Sequence, residues 1–263
     1  MRSALLLFLL FWPWLLVAAE GPRQLFDFGQ HLYSQGEYFR AITEFERLRF
    51  HFPTSAEAQR AQAMTARAYL AGGQPEQAAT YLESLLKVDR PLADYLILFG
   101  LAKLDSQANA PYGMRAQRVE EAVLAFEAVA PEEPKAVYVQ DFAREWRDRD
   151  QEAPYSPALA GSLSALLPGS GSFYLGRWRE GAYAFLLTGL FAVASRESYQ
   201  DGQAGLGALL GGFGLAFYGG NIYVALNSAH RLNDQYQSDQ LMRLRRKHAI
   251  FFIPPGAGAP SRF

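Results

Sequence analysis

The 263-residue chain contains no cysteine. That excludes disulfides, thiolate metal sites and an acylated cysteine within this sequence. Histidine is almost as scarce: His31, His51, His230 and His248 are scattered, without the spacing of metal ligands. There is no G-x-S-x-G elbow, and no glycine-rich loop runs into Lys-Ser/Thr as phosphate cradles require. A net charge of -1 gives no bulk attraction for nucleic acid. The acidic residues lie mostly on helix-like segments, where a solvated face accounts for them. The sequence therefore reads as non-enzymatic, with no metal and no cofactor.

Charge is the other shortage, and it is local. Residues 20–152 carry 36 charged side chains, whereas residues 153–229 carry 6. These are Arg177, Arg179, Glu180, Arg196, Glu197 and Asp201. Between them lie uncharged runs of 24, 15 and 28 residues. A charge at a bilayer centre costs ~3 kcal/mol or more, so such runs suit lipid. The expected fold class is all-α: a signal peptide over 1–19, a helical-hairpin solenoid over 20–152 and a transmembrane helical bundle over 153–230. A basic helix and Pro/Gly-rich tail over 231–263 follow. Arg2, the apolar stretch Ala4–Ala19, and Val17 and Ala19 before Glu20 form the signal pattern. An uncleaved anchor helix is the alternative for that stretch.

The charged half repeats itself. Gly29, Leu32, Gly36, Ala41, Phe45 and Leu48 recur as Ala66, Tyr69, Gly73, Ala78, Leu82 and Leu85, 37 residues later. Ala122 and Phe126 repeat the A-x-x-x-F part, and Pro134 follows Ala122 as Pro53 follows Ala41. Small residues let paired helices approach, Phe45, Leu82 and Phe126 fill the gaps, and Gly36 and Gly73 suit left-handed helix ends. Asp105–Gly113 interrupts the third repeat, and Glu133–Asp150 reads as a capping helix. The region resembles the tetratricopeptide-repeat family. With Phe52-Pro53-Thr54-Ser55 it looks most like the periplasmic members that act in envelope assembly. The missing cysteine departs from the outer-membrane members of that group.

A stack of this kind presents a concave face lined by the first helix of each pair. Phe26, Gln30, Tyr33, Arg60, Arg67 and Leu70 are expected there, with Ala63. Arg60 and Arg67, about two helical turns apart beside Tyr33, suit an acidic or C-terminal peptide group. Two plainer readings stand beside this one: the arginines as solvated helix positions, and Phe26 and Tyr33 as inter-helix packing.

In the apolar half, Pro168-Gly169-Ser170-Gly171-Ser172-Phe173-Tyr174-Leu175-Gly176-Arg177 breaks helix bonding. This turn resembles that of small bacterial two-helix membrane domains reading G-x-x-x-F-Y-L-G before a basic residue, which implies an architecture and no particular activity. A third apolar segment departs from that pattern. Small residues recur at Ala208, Gly212, Ala216 and Gly220, with Gly207 and Gly211 alongside. Such a stripe packs closely against a second helix, either Tyr183–Ala194 of the same chain or a second copy through Gly207, Gly211, Gly212 and Gly220.

Topology follows from charge. Arg243, Arg245, Arg246 and Lys247 form a basic cluster of the kind retained in the cytoplasm. A cleaved signal places the repeats outside, so the crossings must be odd in number; three fit, at about residues 157–176, 180–196 and 205–227, whereas a 157–176 run that only dips into the membrane would leave the basic tail outside, against the rule. The expectation is a bacterial inner-membrane adaptor or scaffold with periplasmic repeats that bind a protein or peptide partner. The alternative is an accessory subunit of a membrane transport or secretion complex.

Overall fold

The computed structural model describes residues 21–87, 92–110, 114–149 and 153–253. The expected signal segment, 1–19, lies outside them, as does the end of the tail. The described residues form eleven α-helices, a 3-10 turn at Gln107–Asn109 and no strand. The chain divides into two units. One comprises Met1–Asp148 together with Arg245–Phe263, the other Arg149–Leu244.

Seven helices build the repeat unit: α1 Pro22–Ser34, α2 Tyr38–His51, α3 Ala56–Ala71, α4 Pro75–Leu86, α5 Ala93–Ser106, α6 Arg115–Glu127 and α7 Ala136–Asp148. Their ends follow local chemistry. Gly36 and Gly73 adopt φ of 79° and 71° after α1 and α3, the left-handed turn that only glycine takes without strain. Ser55 caps α3 by accepting from the Ala58 N–H at 3.1 Å.

Packing explains the repeat. A Cβ on Gly29 would lie 2.6 Å from the Phe45 ring, so glycine is required where α1 meets α2. Ala66 and Leu82 meet the same need in the second pair and share one core cluster. The third pair uses Gly100, whose Cβ would run into the Phe126 ring. Ala41, Phe45, Leu48, Leu82 and Phe126 are fully buried. Lys103 pairs with Glu121 within the third repeat at 2.6 Å, and Arg118 reaches across to Glu76 of the second at 3.0 Å.

Residues 245–253 complete this unit. Arg245, only 6% exposed, pairs with Asp105 at 2.5 Å and donates from Nε to the Ile250 carbonyl. Glu145 accepts from Lys247 Nζ at 2.7 Å and faces His248 Nε2 at 2.8 Å. Phe252 packs on the second core cluster. The expected placement of this tail across a membrane from the repeats is not what its contacts with α5 and α7 favour. Arg245 is buried on a carboxylate of the repeats, which leaves Arg243, Arg246 and Lys247 as the exposed members of the cluster, Lys247 in a surface pair with Glu145.

The second unit holds α8 Pro157–Leu166, α9 Ser170–Tyr174, α10 Trp178–Gln200 and most of α11 Ala204–His248. Ser156 caps α8 through the Leu159 N–H. The glycine turn serves close approach. Gly169 has φ 87° and its Cβ would strike the Gly181 carbonyl, while a Cβ on Gly171 would strike that of Ala160. Asn233 clamps the start of the unit, accepting from the Tyr155 N–H at 3.1 Å and donating to its carbonyl at 2.7 Å. Tyr218 bonds the Ala165 carbonyl, and Arg177 bonds both Ser228 and Glu180.

The segment expected to cross at 157–176 holds a short helix and a turn. At 1.5 Å per residue the ten-residue α8 reaches ~15 Å, half of a ~30 Å hydrocarbon core, and Gly169 then turns the chain. α10 and α11 pair antiparallel: Phe191 stacks on Phe217 at 5.3 Å and Ser195 Oγ donates to the Gly207 carbonyl at 2.7 Å. Gly207 and Gly211 are covered by Tyr199 and Ser195 of the same chain, so neither is open to a second copy; Gly212 and Gly220 remain uncovered.

Asp105→Ala should cost ~3 kcal/mol, because it leaves the buried Arg245 charge without its carboxylate; denaturant unfolding of the full chain reads this. Hydrogen bonds from Lys247 and His248 hold the Glu145 carboxyl below its usual range. Its contribution is therefore present above that range and lost as pH falls through the lowered pKa. The thermal midpoint of wild type should drop more steeply on acidification than that of Glu145→Gln.

Candidate peptide groove

α1, α3 and α5 present their faces to one groove of 530 Å³ in the repeat unit. α1 contributes Phe26 and Gln30; α3 contributes Gln59, Arg60, Ala63, Met64 and Arg67; α5 contributes Asp94 and Tyr95, preceded by Leu92. Glu133, just before α7, closes one side. Every first helix of a repeat pair thus takes part, as the solenoid geometry requires.

The floor is apolar and fixed. Phe26 is buried and packs on Phe45 with ring centroids 5.9 Å apart. Tyr95 is buried, and its hydroxyl donates to Gln62 Oε1 at 2.7 Å. Charge is arranged above this floor. The Arg60 guanidinium lies 4.5 Å from the Phe26 ring centroid, a cation–π contact that orients it without neutralising it. Arg67 stands 3.8 Å from Asp94, too far for a hydrogen bond. Asp94 is shared with Lys135 at 3.3 Å. Arg67 Nε is buried and has no hydrogen-bond partner among the described residues. An unpaired guanidinium donor at an open groove is a place for an incoming carbonyl or carboxylate oxygen.

Four expected residues, Phe26, Gln30, Arg60 and Arg67, converge here with Ala63. Tyr33 and Leu70 do not. Each is only 8% exposed and sits in a core cluster. Tyr33 packs edge-on to Tyr38 at 5.4 Å, and burial pushes its phenol up to about 12, against the opposing field of Arg67.

Asp94, Tyr95 and Glu133 were missed. A signal existed: Asp94 precedes Gly100 by six residues as Arg60 precedes Ala66. The insertion hid it, since Gly29 and Ala66 precede Ala41 and Ala78 by 12 residues, whereas Gly100 precedes Ala122 by 22.

Residues 18–148 match the model of a family described as YfiO, outer membrane lipoprotein. No curated protein and no solved structure matches the chain.

Tyr33→Phe should remove from the alkaline absorbance titration one phenol with a midpoint near 12. A tyrosine lining the open groove would instead titrate near the ordinary phenolic value of about 10.

Proposed function

We propose that the protein is a membrane-anchored adaptor of the bacterial envelope whose repeat groove receives an extended, carboxylate-bearing peptide segment of a partner protein. The family matched over residues 18–148 supports a helical-repeat adaptor of the envelope. The observation that carries the groove is Arg67, with a buried donor unsatisfied beside the ring-oriented Arg60. A peptide carboxylate placed between them completes Arg67 and displaces its loose contact with Asp94.

Anchoring falls to the second unit. The sequence has no cysteine to carry lipid, and α11 is long and apolar enough to cross a bilayer. α10 runs 23 residues with an uncharged stretch of 15; taken as a second crossing beside α11, with Glu180 and Arg196 snorkelling to the interfaces, it makes a two-crossing hairpin. Both ends of a hairpin emerge on one side, which agrees with a tail held by the repeats. The export-like N-terminus and the family match favour the periplasmic side. Helical spans, in place of barrel strands, favour the inner membrane.

The test is a photocrosslinking amino acid at Gln59 in the full-length protein, followed by affinity measurement with the peptide captured. Replacing Arg60 and Arg67 together by Ala should cost ~3 kcal/mol of binding, roughly a hundredfold. Asp94→Asn should strengthen binding several-fold by removing the competing carboxylate. Undiminished capture by the double variant overturns the groove as the binding face. A protease-accessible tag after Phe252 should be cut from the same side as one at Gly113; cleavage from opposite sides overturns the hairpin.

A further inference from the structure

Between α10 and α11 lies a crevice of 540 Å³ whose walls are almost wholly apolar, within the roughly 300–1,000 Å³ of small-ligand sites. It runs from Glu180 at one end to Thr188 and Phe217 at the other. Glu180 to Thr188 spans eight residues of helix, ~12 Å at 1.5 Å per residue. That is close to the ~15 Å depth of one leaflet's hydrocarbon.

Two polar side chains are stranded in it. Asn221, 8% exposed, lines the crevice from α11, and its Nδ2 has no hydrogen-bond partner among the described residues. Thr188 Oγ1 on α10 is buried and equally unpaired. Burying an unsatisfied amide is costly, so Asn221 points to an acceptor-bearing ligand, whereas the Thr188 hydroxyl can turn to the carbonyl one helical turn before it. At the mouth, Arg177 and Glu180 form an ion pair that presents both signs of charge.

We infer that this crevice is a binding site for one acyl chain of a zwitterionic glycerophospholipid, with an ester carbonyl accepting from Asn221. The inference rests on the membrane-hairpin reading of the second unit. A partner helix is the poorer occupant for two reasons. Its backbone groups are already bonded to one another, leaving no acceptor for Asn221. With Phe191 and Phe217 stacked 5.3 Å apart across the two helices, a third helix ~10 Å across cannot enter between them. An acyl chain is narrow, and its ester group lies just inside the headgroup layer, at the charged end of the crevice.

The test uses full-length protein in nanodiscs of phosphatidylethanolamine carrying an acyl-chain diazirine, with labelled residues located by mass spectrometry. Labelling at Ala184 and Leu187 should exceed that at the outward-facing Leu190 and Leu215 several-fold. Ala216→Trp, which fills the crevice, should cut labelling at Ala184 and Leu187 at least fivefold and leave Leu190 and Leu215 unchanged. Asn221→Leu should lower the phosphatidylethanolamine retained through detergent extraction by a similar factor. Uniform labelling along α10 that Ala216→Trp does not alter overturns the site while keeping the hairpin. Absence of labelling at all four positions overturns both.

Discussion

Close approach of backbones at small residues is the constraint on which both halves of this protein depend. In the repeat unit, Gly29 and Gly100 admit the rings of Phe45 and Phe126, where a single Cβ would collide. In the second unit, Gly169 meets the Gly181 carbonyl and Gly171 meets that of Ala160. The two environments drive assembly differently. In water, burial of Phe45, Leu82 and Phe126 supplies the energy. In lipid that term vanishes, and contact between surfaces with the intruding side chains removed must supply it. The same glycine-for-proximity device serves both, which is why glycine patterns were informative along the whole chain.

The adaptor reading gains coherence from how charge is used. The groove keeps Arg60 on an aromatic face and Arg67 only loosely matched, so their attraction remains available to a ligand. The tail does the reverse: Arg245 and Lys247 are matched closely by Asp105 and Glu145, so their charge is spent on structure. Identical residue types thus have opposite roles, decided by partner distance.

Much of this was legible in sequence, and the failures have physical causes. The first two repeats were readable because Gly29/Ala41/Phe45 and Ala66/Ala78/Leu82 keep fixed offsets. The third was obscured by ten extra residues between Gly100 and Ala122, which hid Asp94 from the groove. Tyr33 and Leu70 were misplaced because a helix position one step from the groove faces the core, and offsets alone do not resolve that rotation. A boundary was set at residue 230 on composition, yet no glycine or proline lies between Asn221 and Ala249. Backbone geometry ignores the change from apolar to polar side chains, and α11 runs through it to His248. The tail's place in the repeat unit was not legible because the carboxylate that pairs with Arg245 lies 140 residues earlier in the chain.

That long-range closure also sets an order of events during synthesis. The repeat unit is discontinuous: its first 148 residues leave the ribosome early, and its last nineteen, Arg245–Phe263, leave at the end. Asp105, Glu145 and the surface that receives Phe252 must wait while α10 and α11 are made and placed. On the hairpin reading proposed above, the repeat unit would lack this piece until the chain had entered the bilayer and returned to the same face. Completion of the repeat fold would then report that the hairpin had been inserted, and a chain stalled in the membrane would expose an unfinished surface to quality-control proteases.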